Sequence, residues 1–315
     1  MKHILVTGGA GFIGSHLCDA LLDRGYAVSA LDNLSTGRLS NLKNAFKSSF
    51  FSFSNQDVCS LKTNTLPFLN QYGLHSICHF ACPASPVDFQ KLAIEILQVD
   101  SLGTIQLVNL ALAYQARFLL ASTSEIYGDP LIHPQHEGYW GNVNTWGPRS
   151  CYDETKRFAE AYVYTCIQEK NLNAGVARIF NSYGPRMRSN DGRIIPQWMY
   201  QAQQGEALTV HGTGKQTRSF CYIDDLILGI LALLESSLHQ PINLGNPQES
   251  SLLELHAIFS KLFQRNLPLH HLPERPDDPK RRCPDITQAR EKLSWSPSIS
   301  LEQGLTLTFK SNDAT

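Results

Sequence analysis

The glycine-rich segment at residues 7–14, Thr-Gly-Gly-Ala-Gly-Phe-Ile-Gly, constrains the fold of this chain more than any other feature. It follows a short apolar run at residues 4–6, and helical spacing of apolar side chains begins at Phe12. Glycines in such a turn permit a tight bend, let the backbone approach a pyrophosphate and allow close packing of helix on strand. The free N–H groups and the dipole of the helix N-terminus favour an anion there. This context predicts a dinucleotide site, with a plain structural turn as the alternative.

Strand and helix patterns alternate through the first half of the chain. Apolar strand candidates lie at residues 4–6, 27–31, 50–53, 77–81 and 118–121, and long helical patterns lie at residues 12–22 and 92–113. Short apolar strands separated by helices imply a parallel sheet covered on both faces. We therefore predict an α/β fold with a doubly wound Rossmann-type parallel sheet, and place the dinucleotide-binding domain at residues 1–180.

Prolines interrupt the pattern from about residue 181 onward. Short strand candidates at residues 208–211, 217–223 and 242–244 mix with helix candidates at residues 225–234, 252–263 and 286–293. This pattern predicts a smaller mixed α/β lobe at residues 181–315. The boundary is approximate, because the chain can cross back to the first domain. The charged stretch at residues 277–282 is interpreted as a surface or cleft loop.

An acidic residue stands where the second strand candidate ends. Asp32 lies near the distance at which dinucleotide sites place an acid on a ribose hydroxyl. Its charge would repel a 2′-phosphate, so we expect NAD as the cofactor and not NADP, although Arg38 nearby weakens that preference.

Composition excludes several classes of partner. The formal net charge of -1 gives no electrostatic reason to expect binding to nucleic acid or to an anionic membrane. Apolar runs such as residues 226–234 are too short to span a bilayer, and no cationic leader precedes residues 4–6. Eight cysteines are scattered without metal-ligand spacing, so we expect reduced, mostly buried thiols and no metal. The expected compartment is the cytoplasm.

Two further patterns carry chemistry. Tyr152 and Lys156 lie one turn apart on a predicted helix, where an ammonium group favours the phenolate and makes Tyr152 a candidate base. In isolation, the same pattern also suits an ordinary solvated helix face. The strand candidate at residues 118–121 runs into Ser122 and Thr123-Ser124-Glu125. Hydroxyls and a carboxylate at the carboxyl end of a strand could orient a substrate, or could merely cap a turn.

Together these motifs resemble the extended short-chain dehydrogenase/reductase superfamily, and within it the UDP-glucuronate decarboxylases (UDP-xylose synthases). Residues 178–185 carry the superfamily resemblance as well. The narrower resemblance is carried by residues 81–86, 139–144, 147–154, 186–187, 190–193, 216–218 and 243–247. It covers nearly the whole chain and implies that residues 181–315 mainly bind a nucleotide-sugar.

The resemblance implies roles for individual residues. Tyr152 would be the base, Lys156 would hold Tyr152 and the nicotinamide ribose, and Thr123 would orient the sugar hydroxyl. Glu125 matches an active-site acid. The expected cofactor contacts are Gly8, Gly11, Phe12, Ile13, Gly14, Asp32, Asn33, Asp57, Val58, Ala81, Tyr152 and Lys156. The expected substrate contacts are Ser124, Asn181, Arg193, Arg218 and Arg282.

The implied reaction is conversion of UDP-glucuronate to UDP-xylose. Oxidation at C4 makes the uronate a β-keto acid, whose electrons can flow into the ketone when carbon dioxide leaves. Protonation at C5 and return of the hydride then give the pentose, so NAD is regenerated. The resemblance also implies a homodimer formed through the helices near residues 92–113 and 152–169.

Two departures from the family and three rival functions remain open. Asp100 stands where relatives usually have asparagine, and residues 89–95 lack an expected Tyr-Asn-Pro pattern. A 4-epimerase or a 4,6-dehydratase would share the first step. Dehydratases usually carry an aspartate immediately before the glutamate that matches Glu125, where this chain has Ser124. The third rival is a catalytically inactive NAD-binding regulator, against which Thr123, Tyr152 and Lys156 argue together.

Overall fold

Thirteen strands and eleven α-helices lie in the part of the chain that the computed structural model describes, residues 1–273 and 281–313. The strands are β1 (His3–Thr7), β2 (Ala27–Asp32), β3 (Phe51–Asn55), β4 (Ser76–His79), β5 (Arg117–Thr123), β6 (Ala174–Ile179), β7 (Ser182–Tyr183), β8 (Leu208–His211), β9 (Thr217–Ser219), β10 (Cys221–Tyr222), β11 (Pro241–Leu244), β12 (Glu249–Ser251) and β13 (Leu269–Leu272). The helices are α1 (Phe12–Asp23), α2 (Pro67–Tyr72), α3 (Pro86–Lys91), α4 (Ala93–Gln98), α5 (Thr104–Tyr114), α6 (Ser150–Lys170), α7 (Ile194–Gln204), α8 (Ile223–Glu235), α9 (Leu252–Leu262), α10 (Thr287–Leu293) and α11 (Leu301–Asp313).

Seven parallel strands form the main sheet, in the order β3-β2-β1-β4-β5-β6-β11. The order reverses between β1 and β4, and in open α/β sheets ligands bind in the crevice outside the carboxyl ends of the strands at such a point. The predicted doubly wound Rossmann-type fold is confirmed.

Each face of the sheet has its own hydrophobic core. Successive side chains of a strand point to opposite faces, so Ile4 and Val6 join a core with α1 and α8, whereas Leu5 joins a core with α5 and α6. Every residue of β1, β2 and β5 is buried. Burial on both faces explains why these strands read as continuous apolar runs.

The C-terminal half differs from the expectation in two places. The segment at residues 242–244 was expected in the smaller lobe; that placement is wrong, because β11 pairs with β6 as the seventh strand of the main sheet. The strand expected at residues 217–223 is two strands, since β9 pairs with β12 and β10 pairs with β7. A third small sheet pairs β8 with β13. The chain therefore crosses back to the main sheet, and the division at residue 180 stays an approximate prediction. Residues 277–280 of the charged stretch lie outside the described residues.

The helical pattern at residues 92–113 is not one regular α-helix. A π-helical turn, Val99–Gly103, separates α4 from α5 and contains the buried Asp100. By length and composition alone, the stretch Ala93–Tyr114 could cross a membrane, with a mean hydropathy of 1.3. This corrects the expectation that the apolar runs are too short. However, the stretch packs against α6 and strands β4 and β5, as a core helix of the fold does.

Candidate active site

The turn after β1 leaves backbone exposed at the crevice. Gly8 has a positive φ of 68°, and a Cβ on it would lie 2.5 Å from the carbonyl oxygen of Phe80. A Cβ on Gly14 would overlap the carbonyl oxygen of Gly8. Only glycine fits these two positions without a shift, so α1 packs closely on the turn and its N-terminus faces open space suited to a pyrophosphate.

Asp32 joins this turn to the loop after β2. Its Oδ2 accepts a hydrogen bond from the Ala10 N–H at 3.0 Å, and its Oδ1 accepts one from the Leu34 N–H at 2.8 Å. Burial raises the pKa of Asp32, and these two N–H groups oppose that rise. Each carboxylate oxygen has two acceptor sites, so capacity remains for a ribose hydroxyl. The Arg38 residue is exposed, and its backbone N–H donates to the Ala10 carbonyl at 3.0 Å.

A second pair of polar side chains extends the wall of the crevice. Asn33 donates from Nδ2 to Asp57 Oδ2 at 2.9 Å, and Asp57 Oδ1 accepts from the Cys59 N–H at 2.8 Å. Exposed acceptors beside a glycine turn fit the adenosine half of a dinucleotide. These residues fit NAD, which would bind with its pyrophosphate at the N-terminus of α1.

Tyr152, Lys156 and Thr123 meet where β5 ends. Thr123 is the last residue of β5, and the other two lie in the first turns of α6. Lys156 Nζ donates to the Ala121 carbonyl at 3.0 Å and to Asp100 Oδ1 at 2.9 Å. It lies 5.7 Å from the centroid of the Tyr152 ring. All three side chains are buried.

The environment of this pair sets its protonation. Burial raises the pKa of Tyr152, while the Lys156 charge and a hydrogen bond with Thr123 lower it. Burial lowers the pKa of Lys156, but the Asp100 carboxylate outweighs that effect and raises it above its ordinary value. Lys156 is therefore an ammonium group, and Tyr152 is a phenol that needs local positive charge to give up its proton.

Glu125 is held by two guanidinium groups. Arg149 Nη2 donates to Glu125 Oε2 at 2.5 Å, and Arg282 Nη1 donates to Glu125 Oε1. Burial opposes ionisation of Glu125, but the two arginines lower its pKa to about 2. Glu125 is thus a carboxylate that accepts hydrogen bonds and has no proton to give near neutral pH.

Asp153 lies beside this cluster on α6. Its Oδ2 is 3.9 Å from Arg149 Nε, and its Oδ1 has no hydrogen-bond partner within the described structure. Burial and the nearby Glu125 charge raise the pKa of Asp153 to about 7. Near or below that pH the set of Arg149, Arg282, Glu125 and protonated Asp153 carries an excess positive charge, which favours an anionic ligand.

More arginines line the crevice on the side of the C-terminal lobe. Arg193 is the N-cap residue of α7, and Arg218 lies in β9. Asn181, between β6 and β7, accepts a backbone bond from the Cys221 N–H at 2.9 Å. The two guanidinium groups carry the charge that pairing with phosphates requires.

Every predicted site residue lies along this one cleft: Gly8, Gly11, Phe12, Ile13, Gly14, Asp32, Asn33, Asp57, Val58, Ala81, Thr123, Ser124, Glu125, Tyr152, Lys156, Asn181, Arg193, Arg218 and Arg282. Their individual roles stay predictions.

Sequence reasoning missed three contributors. Arg149 binds Glu125, Phe89 stacks on Tyr152, and Cys82 donates from Sγ to Asp100 Oδ2 at 3.1 Å. Arg149 precedes the helix that carries Tyr152, so its position relative to the catalytic motif was a usable signal. Phe89 lies on the short helix α3 and Cys82 in the loop between β4 and α3. Periodicity does not show that either residue approaches the catalytic pair.

One group of side chains away from this cluster has metal-ligand atoms close together. Those of His133, Glu249 and Cys283 lie within 4.8 Å of one another. However, the Cys283 thiol donates to the Pro247 carbonyl at 3.2 Å, and burial raises its pKa to about 12. A metal needs the thiolate, so this cluster gives no reason to infer an ion.

Comparison with known proteins agrees with this geometry. The NAD dependent epimerase/dehydratase family matches residues 4–245. The UDP-glucuronic acid decarboxylase 1 of Danio rerio is 45% identical over 98% of this chain and 72% of its own length. The UDP-glucuronic acid decarboxylase 2 of Arabidopsis thaliana is 46% identical over 98% of this chain and 67% of its own length.

Solved structures share the whole fold. The UDP-glucuronic acid 4-epimerase of Bacillus cereus, solved with UDP-glucuronic acid and NAD, has a TM-score of 0.89 and 28% identity, covering 99% of each chain. The UDP-glucose 4-epimerase of Thermotoga maritima, solved with UDP-glucose, has a TM-score of 0.90 and 27% identity, covering 99% of each chain. The chain therefore belongs to the NAD dependent epimerase/dehydratase family, and within it to the UDP-glucuronic acid decarboxylases.

Proposed function

We propose that this protein decarboxylates UDP-glucuronate to UDP-xylose through a transient 4-keto sugar, with NAD recycled. The observation that carries the proposal is the cluster of Arg149, Arg282 and Glu125 beside Thr123 and Tyr152. Two guanidinium groups share one carboxylate there, so a second carboxylate, that of a uronic acid, can be accommodated next to the proposed base. The UDP-glucuronic acid decarboxylases that are 45–46% identical to this chain support the same reaction.

The first step needs a base at the C4 hydroxyl. Tyr152 would take that proton, and Thr123 would orient the hydroxyl. Lys156 would stabilise the phenolate. Two of its three N–H donors bind Asp100 and the Ala121 carbonyl, so the third would donate to the nicotinamide ribose. NAD, held by the glycine turn and Asp32, would supply the acceptor for the C4 hydride and the donor for its return.

The second step is loss of carbon dioxide. The C4 ketone turns the uronate into a β-keto acid, and the electrons of the broken bond delocalise onto the ketone oxygen. The Tyr152 hydroxyl and the Thr123 hydroxyl would stabilise that oxygen. Arg282 would hold the carboxylate in place before it leaves. Glu125, as an ionised acceptor, would hold a sugar hydroxyl or a water. A proton from water would then add to C5, the hydride would return to C4, and Tyr152 would return its proton to the C4 oxygen.

The UDP part would lie toward the C-terminal lobe. Arg193 and Arg218 are charged side chains on that side of the cleft, and Asn181 and Ser124 line it. A diphosphate paired with guanidinium groups would fix the sugar ring over Tyr152.

A 4-epimerase is the second candidate, because the solved structures that share this fold include a UDP-glucuronic acid 4-epimerase. Mass analysis after incubation with UDP-glucuronate and NAD separates the candidates. The proposal predicts a product lighter by carbon dioxide, with little net NADH. An unchanged mass with altered C4 configuration would show an epimerase, loss of water a dehydratase, and no product an inactive binder.

We also propose a homodimer in the cytoplasm. Large apolar side chains are exposed on helices α4 and α6, including Ile94 at 63%, Tyr164 at 65% and Phe158 at 41%. A second copy would cover them. Sedimentation should show a dimer that Tyr164→Glu weakens, and cell fractionation should find the protein in the soluble fraction. A monomeric native protein would overturn the dimer.

A further inference from the structure

We infer that Asp100 is a positioning residue for the acid–base pair: its buried carboxylate fixes the Lys156 ammonium group and offsets that charge at Tyr152. The inference rests on the proposed role of Tyr152 as base. It assigns a function to a buried carboxylate that the proposed mechanism does not otherwise use.

The backbone around Asp100 is specialised. Asp100 lies in the π-helical turn Val99–Gly103, and its side chain is fully buried. Single π-helical turns of this kind inside α-helices are frequent at functional sites. Gly103, at the end of the turn, packs so tightly that a Cβ would lie 2.7 Å from Val58 Cγ2. The turn is therefore fixed against the wall of the cofactor cleft.

Both oxygens of Asp100 are engaged. Oδ1 accepts from Lys156 Nζ at 2.9 Å, and Oδ2 accepts from Cys82 Sγ at 3.1 Å. A buried ammonium group without a counter-ion would tend to lose its proton. Asp100 supplies that counter-ion, and the Ala121 carbonyl fixes the direction of the second N–H.

The other titratable groups near this pair carry no charge at neutral pH. They are His79 from β4, Cys59 from the 3-10 turn after β3, Cys82 from the loop after β4, and Cys151 from α6. Burial lowers the pKa of His79 to about 3. Burial raises the pKa values of the three thiols. Asp100 is thus the anion that opposes the effect of Lys156 on Tyr152, and it raises the pKa of Tyr152.

This arrangement predicts the effect of replacing the carboxylate by an amide. Asp100→Asn keeps an oxygen acceptor for Lys156 but removes the negative charge. The pKa of Tyr152 should fall, which moves the acidic limb of the kcat–pH profile to lower pH. The pKa of Lys156 should also fall, which moves the alkaline limb in the same direction. We expect the whole profile to shift by about one pH unit.

The test compares three variants in the NAD-bound protein. Asp100→Asn and the smaller Asp100→Ser should both shift the profile toward acid, whereas Asp100→Glu keeps the charge and should lower kcat without that shift. Phenolate absorbance, taken as the difference between each protein and its Tyr152→Phe counterpart, should report the same fall in the pKa of Tyr152 without turnover. Unchanged titration in both charge-removing variants would overturn the inference. Failure of the decarboxylation proposal would appear separately, as absence of the carbon dioxide loss in the native protein.

Discussion

The rings of Phe89 and Tyr152 are stacked, with centroids 4.8 Å apart and planes 21° apart. Phe89 opens the segment at residues 89–95, which lacks the Tyr-Asn-Pro pattern expected from the family resemblance. The guanidinium group of Arg149 lies 5.3 Å from the centroid of the same Phe89 ring. The atypical segment therefore takes part in the burial of the proposed base and lies against an arginine of the charged cluster.

Removing only the phenolic hydroxyl tests the base. Tyr152→Phe keeps the ring that stacks on Phe89, so the fold and NAD affinity should be preserved. Turnover should fall by about 10²–10⁴-fold, the usual contribution of a general acid or base. Rapid-quench turnover and NAD titration measure the two effects, with the exposed Tyr200→Phe as control. Turnover at the native rate would remove Tyr152 from the mechanism.

Asp32 should set cofactor affinity and selectivity. Asp32→Asn loses the charge that favours ribose hydroxyls and repels a 2′-phosphate. We expect NAD binding to weaken by roughly ten- to a hundredfold, as loss of a charged hydrogen bond implies, with a smaller preference over NADP. Calorimetric titration with both cofactors measures this, and Asp23→Asn, exposed at the end of α1, is the matched control. Equal affinity of the native protein for NAD and NADP would contradict the assignment and direct attention to Arg38.

Glu125 and Arg282 should divide turnover and binding between them. Glu125→Gln should lower kcat more than substrate affinity, whereas Arg282→Gln should weaken UDP-glucuronate binding more than it lowers kcat. Direct binding measurements are needed beside the kinetics, because KM need not equal Kd. The exposed neighbour Arg281→Gln serves as control.

The ion pair makes these two substitutions dependent on each other. Either single change leaves a buried charge with one partner fewer, so the double variant should lose less than the sum of the single losses. Loss of binding in Glu125→Gln with full turnover at saturation would show that Glu125 only positions the substrate.

Asp153 should make stability depend on pH. Its pKa is raised to about 7, so the folded protein holds a proton that the unfolded chain releases near pH 4. The proton stabilises the fold most at pH values below about 4, and this stabilisation is lost as the pH rises from about 4 to 7. Asp153→Asn removes this loss, so its Tm should fall less than that of the native protein between pH 5 and pH 8. Parallel Tm curves for the two proteins would refute the shifted pKa.

The elements that could be predicted from the sequence are those determined by neighbouring residues in the chain. The glycine turn, the buried strands and the carboxyl end of β5 follow from periodicity and backbone chemistry, and all the predicted site residues line one cleft. What could not be predicted depends on distant pairing. Residues 242–244 look like any short strand, and only pairing with β6 places them in the main sheet. The engagement of Glu125 by Arg149 and Arg282 likewise joins three separate segments.

The most direct measurement of the central claim uses UDP-glucuronate carrying deuterium at C4 of the sugar, incubated with the native protein and unlabelled NAD. The account predicts UDP-xylose that has lost the carboxyl carbon as carbon dioxide and still carries the deuterium at C4, because the same hydride leaves and returns within one active site. UDP-xylose without deuterium, or a labelled product that keeps its carboxylate, would contradict it.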